Sequence, residues 1–216
     1  MKRLLLLLSL MSTLVVCHAE LVFVAGKDYK VLDKVYIPSE KVKPGTVTVK
    51  EFFSYGCPWC FKLEYYANKW KKDLPKHIEF YKVPVVFEPE WTLYAKAYYT
   101  ADILGIENKL SPALFSEIQI NKKPLDTVKS MTQFFIDNGV AEKVAKSAFS
   151  SSPTIDAKVA EGIEQMQKLQ VNAVPSFVIN NHYKVDIAMA EGDSDKLFRV
   201  IGFLTAKELA SMMNKR

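Results

Sequence analysis

Between Thr46 and Cys60 the chain changes its hydrophobic period, and that change limits the fold more than any other feature. Val47, Val49, Glu51 and Phe53 alternate with Thr48, Lys50, Phe52 and Ser54, which is the pattern of a strand. Gly56 then lets the chain turn, Pro58 suits the first turn of a helix, and Leu63, Tyr66, Ala67 and Trp70 recur at helical spacing up to Pro75. Ile78, Phe80 and Lys82 next alternate with Glu79, Tyr81 and Val83 in a second strand. Strand, helix and strand make a βαβ unit, whose crossover is right-handed. Its first junction is the segment Gly56-Cys57-Pro58-Trp59-Cys60, which sets two cysteines at a helix N-terminus.

The cysteines gain weight once the leader is set aside. Lys2 and Arg3 precede the apolar run Leu4 to Val16, and Cys17-His18-Ala19 precedes Glu20. A basic start, a short apolar middle and a small residue at the end read as a secretory signal peptide over 1–19. The run falls short of the roughly 20 residues that cross a bilayer, so an uncleaved anchor is the weaker reading. Lipid attachment at Cys17 stays open, although Val16 is bulky where such signals carry a small residue. Export predicts a protein outside the cytoplasm in which every remaining cysteine belongs to one CxxC. A loop that short adds little stability as a staple, so a redox centre explains it better.

Composition agrees with a folded, exported chain. Of 216 residues 49% are hydrophobic and 25% charged, which excludes disorder and fibrous repeats. The net charge of +5 includes Lys2 and Arg3, and Lys109, Lys122, Lys123, Lys129, Lys143 and Lys146 are scattered as on a solvated face. No nucleic-acid footprint results.

From about Phe87 to about Gln170 the pattern stays helical, which we read as an inserted subdomain. Ser111-Pro112 and Ser152-Pro153 look like N-caps followed by first-turn prolines, Asp126 a cap for another helix, and Gly139 its end. Trp91, Tyr94 and Tyr98, and later Ile155, Val159, Ile163 and Met166, mark core-facing stripes. After Val174-Pro175, the strands Ser176–Ile179 and His182–Ile187 flank the turn Asn180-Asn181. A last helix begins near Asp193 or Ser194, and Thr205 to Glu208 reads as a capping box that restarts it. The division is 20–86, then the insert 87–170, then 171–216, in the order β-α-β, insert, β-β-α.

The chemistry follows from position. At a helix N-terminus the Cys57 sulfur meets unpaired N–H groups and the positive end of the helix dipole, which favour thiolate. Cys57 is therefore the candidate nucleophile and Cys60 the resolving thiol. A four-ligand zinc site would have to recruit His77 and His182, and Phe61 stands where a c-type haem motif needs His. Neither a metal nor another cofactor is expected. Strand alternation also puts Glu51 and Lys82 on apolar stripes, where buried charges need partners. If the two strands are parallel neighbours, they pair beneath the CxxC and Glu51 tunes it; the alternative is an exposed strand-end charge.

The stretch Glu51-Phe52-Phe53-Ser54-Tyr55-Gly56-Cys57-Pro58-Trp59-Cys60, the Val174-Pro175 before a strand, and the helical insert between them resemble the DsbA family of periplasmic thiol-disulfide oxidoreductases. Gly26-Lys27-Asp28-Tyr29 also resembles that family's start, leaving no room for the dimerisation domain of DsbC-like isomerases, and a monomer is expected. The resemblance implies an α/β thioredoxin fold with an inserted helical subdomain and a cis Val174-Pro175 facing the CxxC. There the backbone of Val174 is free to pair with a substrate peptide. It further implies disulfide donation to reduced, newly exported proteins and reoxidation by a DsbB-like membrane partner that passes electrons to quinone. The chain departs from the pattern at Trp59, where the best-known members carry His, and it lacks the second cysteine pair of some relatives. A reductase or isomerase on the same fold, and a non-enzymatic exported chaperone, are the alternative functions.

Overall fold

The computed structural model describes residues 23–32 and 43–214. The leader 1–19 and Cys17 lie outside the described residues. In chain order the elements are β1 (Lys30–Val31), β2 (Val47–Phe53), α1 (Pro58–Lys72), β3 (Ile78–Pro84), α2 (Trp91–Ile103) and α3 (Glu107–Phe115), which runs on into a π turn (Ser116–Ile120). Then follow α4 (Val128–Asp137), α5 (Glu142–Ser150), α6 (Pro153–Lys168), β4 (Ser176–Ile179), β5 (Tyr183–Asp186) and α7 (Ser194–Met213). The five strands form one sheet in the order β1-β5-β4-β2-β3. Only β2 and β3 run parallel, from Val47 opposite Ile78 to Phe53 opposite Pro84; β4 and β5 pair antiparallel across Asn180-Asn181, both at positive φ.

This is a thioredoxin fold with a helical insertion between β3 and β4. Helices α1 and α7 cover one face of the sheet, where Leu63, Leu197, Val200, Ile201 and Leu204 pack on Val47, Val49, Phe177 and Val185. Helices α2 and α6 meet the sheet at β3. Covered on both faces, β2 is buried along its whole length, which is why its polar positions Thr48, Lys50 and Glu51 are as enclosed as its apolar ones. Lys50 is satisfied by Gln165 of α6 at 2.7 Å.

Several sequence expectations need correcting. Ser111 does not cap a helix, because α3 already starts at Glu107 and Pro112 lies inside it. The Ser111 hydroxyl instead turns inward to the Tyr55 hydroxyl at 2.6 Å and to Glu107 at 3.0 Å. Thr127, not Asp126, caps α4, through a reciprocal box with Ser130. Thr205 and Glu208 do not restart a helix, since α7 is continuous; Thr205 bonds back to the Ile201 carbonyl, and Glu208 leaves the helix axis for Asn180 and His182. The short β1 against β5 was not foreseen, and two residues are too few for a period to register.

Candidate functional site

The turn between β2 and α1 holds the two thiols. Cys57 is the N-cap of α1, and its sulfur accepts the Cys60 N–H at 3.2 Å. Pro58 opens the helix at a position where a missing N–H costs nothing. Cys57 and Cys60 are both buried, unbonded thiols. The Cys60 thiol, hydrogen-bonded to the Cys57 sulfur, does most to lower the Cys57 pKa; burial opposes this, and the N–H groups of Cys60 and Trp59 add to it. Cys60, one turn in, is pushed well above the ordinary thiol range by burial and by serving Cys57. Two thiols three residues apart are thus shifted in opposite directions, the outer one toward thiolate and the inner one toward thiol.

Across from Cys57 the peptide bond Val174-Pro175 is cis, and the Val174 carbonyl oxygen lies 3.5 Å from the Cys57 sulfur. The loop carrying it is tied by Ser176, whose hydroxyl donates to Ala173 O at 2.6 Å, and by Lys184, which donates to Gln170 O at 2.6 Å. Trp59 is 44% exposed, with the Lys62 ammonium 4.4 Å from its ring centroid.

The insert is fastened to this turn. Gln119 donates to Tyr55 O at 2.7 Å, Phe61 packs on Phe115, and Tyr55 stands between Phe53 and Phe115. Gly56 has no side chain because there is no room for one: a Cβ there would lie 2.5 Å from Nε1 of Trp91. Gly56→Ala is therefore expected to cost about 1–3 kcal/mol, the range for forced overpacking, read as a lower urea midpoint. An unchanged midpoint would show that Trp91 yields freely.

Beneath the thiols, β2 and β3 place Glu51 opposite Lys82 in register, with the ammonium 3.6 Å from the carboxylate. Neither Glu51 oxygen has a hydrogen-bond partner among the described residues. Burial pushes Glu51 up to about 7, with Lys82 opposing the rise. Burial alone would pull Lys82 down, but Glu51 and Glu64 outweigh it and hold Lys82 above the ordinary lysine range. Lys82 also lies 4.9 Å from the Phe53 ring centroid. Glu64, which sequence reasoning missed, is the closer partner of Lys82 at 2.6 Å. A signal for it existed: Glu64 lies four residues after Cys60, on the helix face that meets the sheet, and it is the sole acid of α1. His182 pairs with Glu208 at 3.0 Å, on the hairpin turn, and no group of three or more His, Cys, Asp or Glu among the described residues is placed to hold a metal.

A family model described as DSBA-like thioredoxin domain matches residues 48–198. The chain is 32% identical over 168 residues to the thiol:disulfide interchange protein DsbA of Pseudomonas syringae pv. tomato, covering 78% of each. It is 30% identical over 189 residues to that of Pseudomonas aeruginosa, covering 88% of this chain and 87% of the other. The crystal structure of Pseudomonas aeruginosa DsbA superposes with a TM-score of 0.80 at 29% identity, over 88% of this chain and 96% of that one.

Proposed function

The chain belongs to the DsbA-like thioredoxin family and is a thiol-disulfide oxidoreductase, and from that premise we propose that it is a periplasmic oxidase that donates its Cys57–Cys60 disulfide to newly exported proteins. The observation that carries the proposal is the Cys57 sulfur at the N-cap of α1, 3.5 Å from the Val174 carbonyl, with Cys60 buried behind it. Everything that lowers the Cys57 pKa stabilises the reduced protein, and a couple whose reduced form is stabilised is an oxidant.

In the forward reaction a substrate thiolate attacks the Cys57 sulfur of the oxidised protein. The Cys57–Cys60 bond breaks, its electron pair goes to Cys60, and a substrate–Cys57 disulfide forms. Cys60, with its raised pKa, takes up a proton. The substrate's second thiolate then attacks the substrate sulfur of that mixed disulfide, expelling the Cys57 thiolate. The substrate leaves oxidised by two electrons and both protein cysteines remain reduced. Val174 and Pro175 present the backbone edge that holds the substrate peptide extended during both steps. Glu51, paired with Lys82, tunes the two thiols from below. No cofactor enters this scheme beyond the Cys57–Cys60 disulfide, which a DsbB-like membrane partner restores by passing electrons to quinone. No helix of the described residues is long and apolar enough to cross a membrane.

The test is the equilibrium of the couple against glutathione, using protein from Glu20 onward. A potential near the DsbA value of about −120 mV supports the oxidase. A value near that of thioredoxin, about −270 mV, assigns reduction or isomerisation instead.

A further inference from the structure

Helix α1 carries Lys62, Glu64, Lys69, Lys71 and Lys72. Its one acid is engaged at both oxygens: Glu64 meets Lys82 at 2.6 Å and accepts from Asn68 at 3.1 Å, leaving its side chain 12% exposed. Lys71 leans toward the Phe80 ring. The outer face of α1 is left with Lys62, Lys69 and Lys72, interleaved with Trp59 at 44%, Tyr65 at 70% and Tyr66 at 36% exposure, and with no carboxylate. This aromatic and cationic face begins two residues from the nucleophile. Among the described residues, Lys62 forms no ion pair; its ammonium rests on the indole of Trp59.

The other flank of Trp59 carries acids, each with a cation of its own. The indole edge runs past Gly192, where an added Cβ would lie 3.8 Å away. The acids on either side of Gly192 are engaged elsewhere: Glu191 with Lys196 at 2.7 Å, and Asp193 with the Lys196 N–H at 2.9 Å and Arg199 at 3.9 Å. A peptide joined to Cys57 and held extended advances about 3.3 Å per residue. The exposed ring and ammonium of α1 nearest Cys57 in the sequence are Trp59 and Lys62, which places them to meet residues next to the reacting cysteine. The indole supplies an apolar floor that displaces water, and a charge beside such a floor acts more strongly than one in bulk solvent.

We propose that Trp59 and Lys62 form a specificity element that favours substrates carrying Asp or Glu within one or two residues of the reacting cysteine. The proposal rests on the oxidase reading. It is tested with three otherwise identical dithiol peptides that carry Asp, Asn or Lys beside one cysteine, each oxidised by the disulfide form of the protein. The expected order of kcat/KM is Asp, Asn, Lys, with Asp over Lys by about threefold to fivefold at low salt, the scale of one exposed charge pair. The ratio falls toward one in about 1 M salt and in Lys62→Gln, and it survives in Lys62→Arg. Equal rates for the three peptides in the wild-type protein, or a ratio that Lys62→Gln leaves intact, would overturn the proposal while the oxidase reading stands. Failure of the wild-type protein to oxidise even the Asn peptide would overturn both.

Discussion

Replacing Cys60 with alanine is expected to trap this protein on its substrates, and replacing Cys57 with serine to remove disulfide transfer down to background. The two variants separate the roles that the geometry assigns. In Cys60→Ala the Cys57 thiolate still has its helix N-terminus, and it attacks a substrate disulfide, displacing one substrate thiolate. The resulting mixed disulfide can no longer be resolved by Cys60, so it accumulates wherever the displaced substrate thiolate is not placed to attack it. In Cys57→Ser the outer group is a hydroxyl that does not ionise near neutral pH, and Cys60 is buried behind it with a pKa raised by that burial. Acid-quenched cell extracts run without reductant should show Cys60→Ala in a ladder of adducts. Mass spectrometry should place every linkage on Cys57, and the double variant Cys57→Ser/Cys60→Ala should show none. Absence of adducts from Cys60→Ala would count against the exchange scheme. Retention of function by Cys57→Ser would favour the exported chaperone instead.

How much of this was legible in the sequence depended on whether a feature is local. The β2 to α1 junction could be read because a period of two changes to 3.6 within a few residues, and the order β-α-β, insert, β-β-α followed from such changes. The pairing of Glu51 with Lys82 was also reachable, since alternation fixes a face and a βαβ unit fixes the neighbour. Features settled by tertiary neighbours were not. Ser111 before Pro112 has the composition of a cap, yet a buried Tyr55 hydroxyl needs a partner and Ser111 supplies it. Thr205 and Glu208 have the spacing of a capping box, but Asn180 and His182 across the fold claim Glu208. Glu64 was overlooked for the converse reason: on a helix rich in lysine it looks like a surface charge, and only the demand of buried Lys82 turns it inward. The fit of Gly56 under Trp91 joins residues from two separate elements, which no local pattern expresses.

Glu51→Gln is the second change with a large expected effect, and its sign follows from burial. Glu51 is raised from 4.5 to about 7 in the folded protein, chiefly by desolvation, with Lys82 opposing. Below pH 4.5 the folded and unfolded chains both hold the proton, and Glu51 makes no pH-dependent contribution. Between 4.5 and about 7 the unfolded chain has released a proton that the folded chain keeps, so stability falls as pH rises through this window. Above about 7 the full cost is present, on the order of 3 kcal/mol for a shift of this size. Gln keeps the shape without the charge, and Lys82 retains Glu64 at 2.6 Å. Urea denaturation of the reduced protein should therefore show Glu51→Gln gaining on the wild type from pH 4.5 to pH 8. The thiols should respond in parallel, because the Glu51 carboxylate raises the pKa of both Cys57 and Cys60. Without it the Cys57 thiolate is favoured, the reduced form is stabilised, and the couple becomes more oxidising. Thiolate absorbance against pH and the glutathione equilibrium measure these two shifts, and if both stay where they are in the wild type, Glu51 has no tuning role and serves only to balance Lys82.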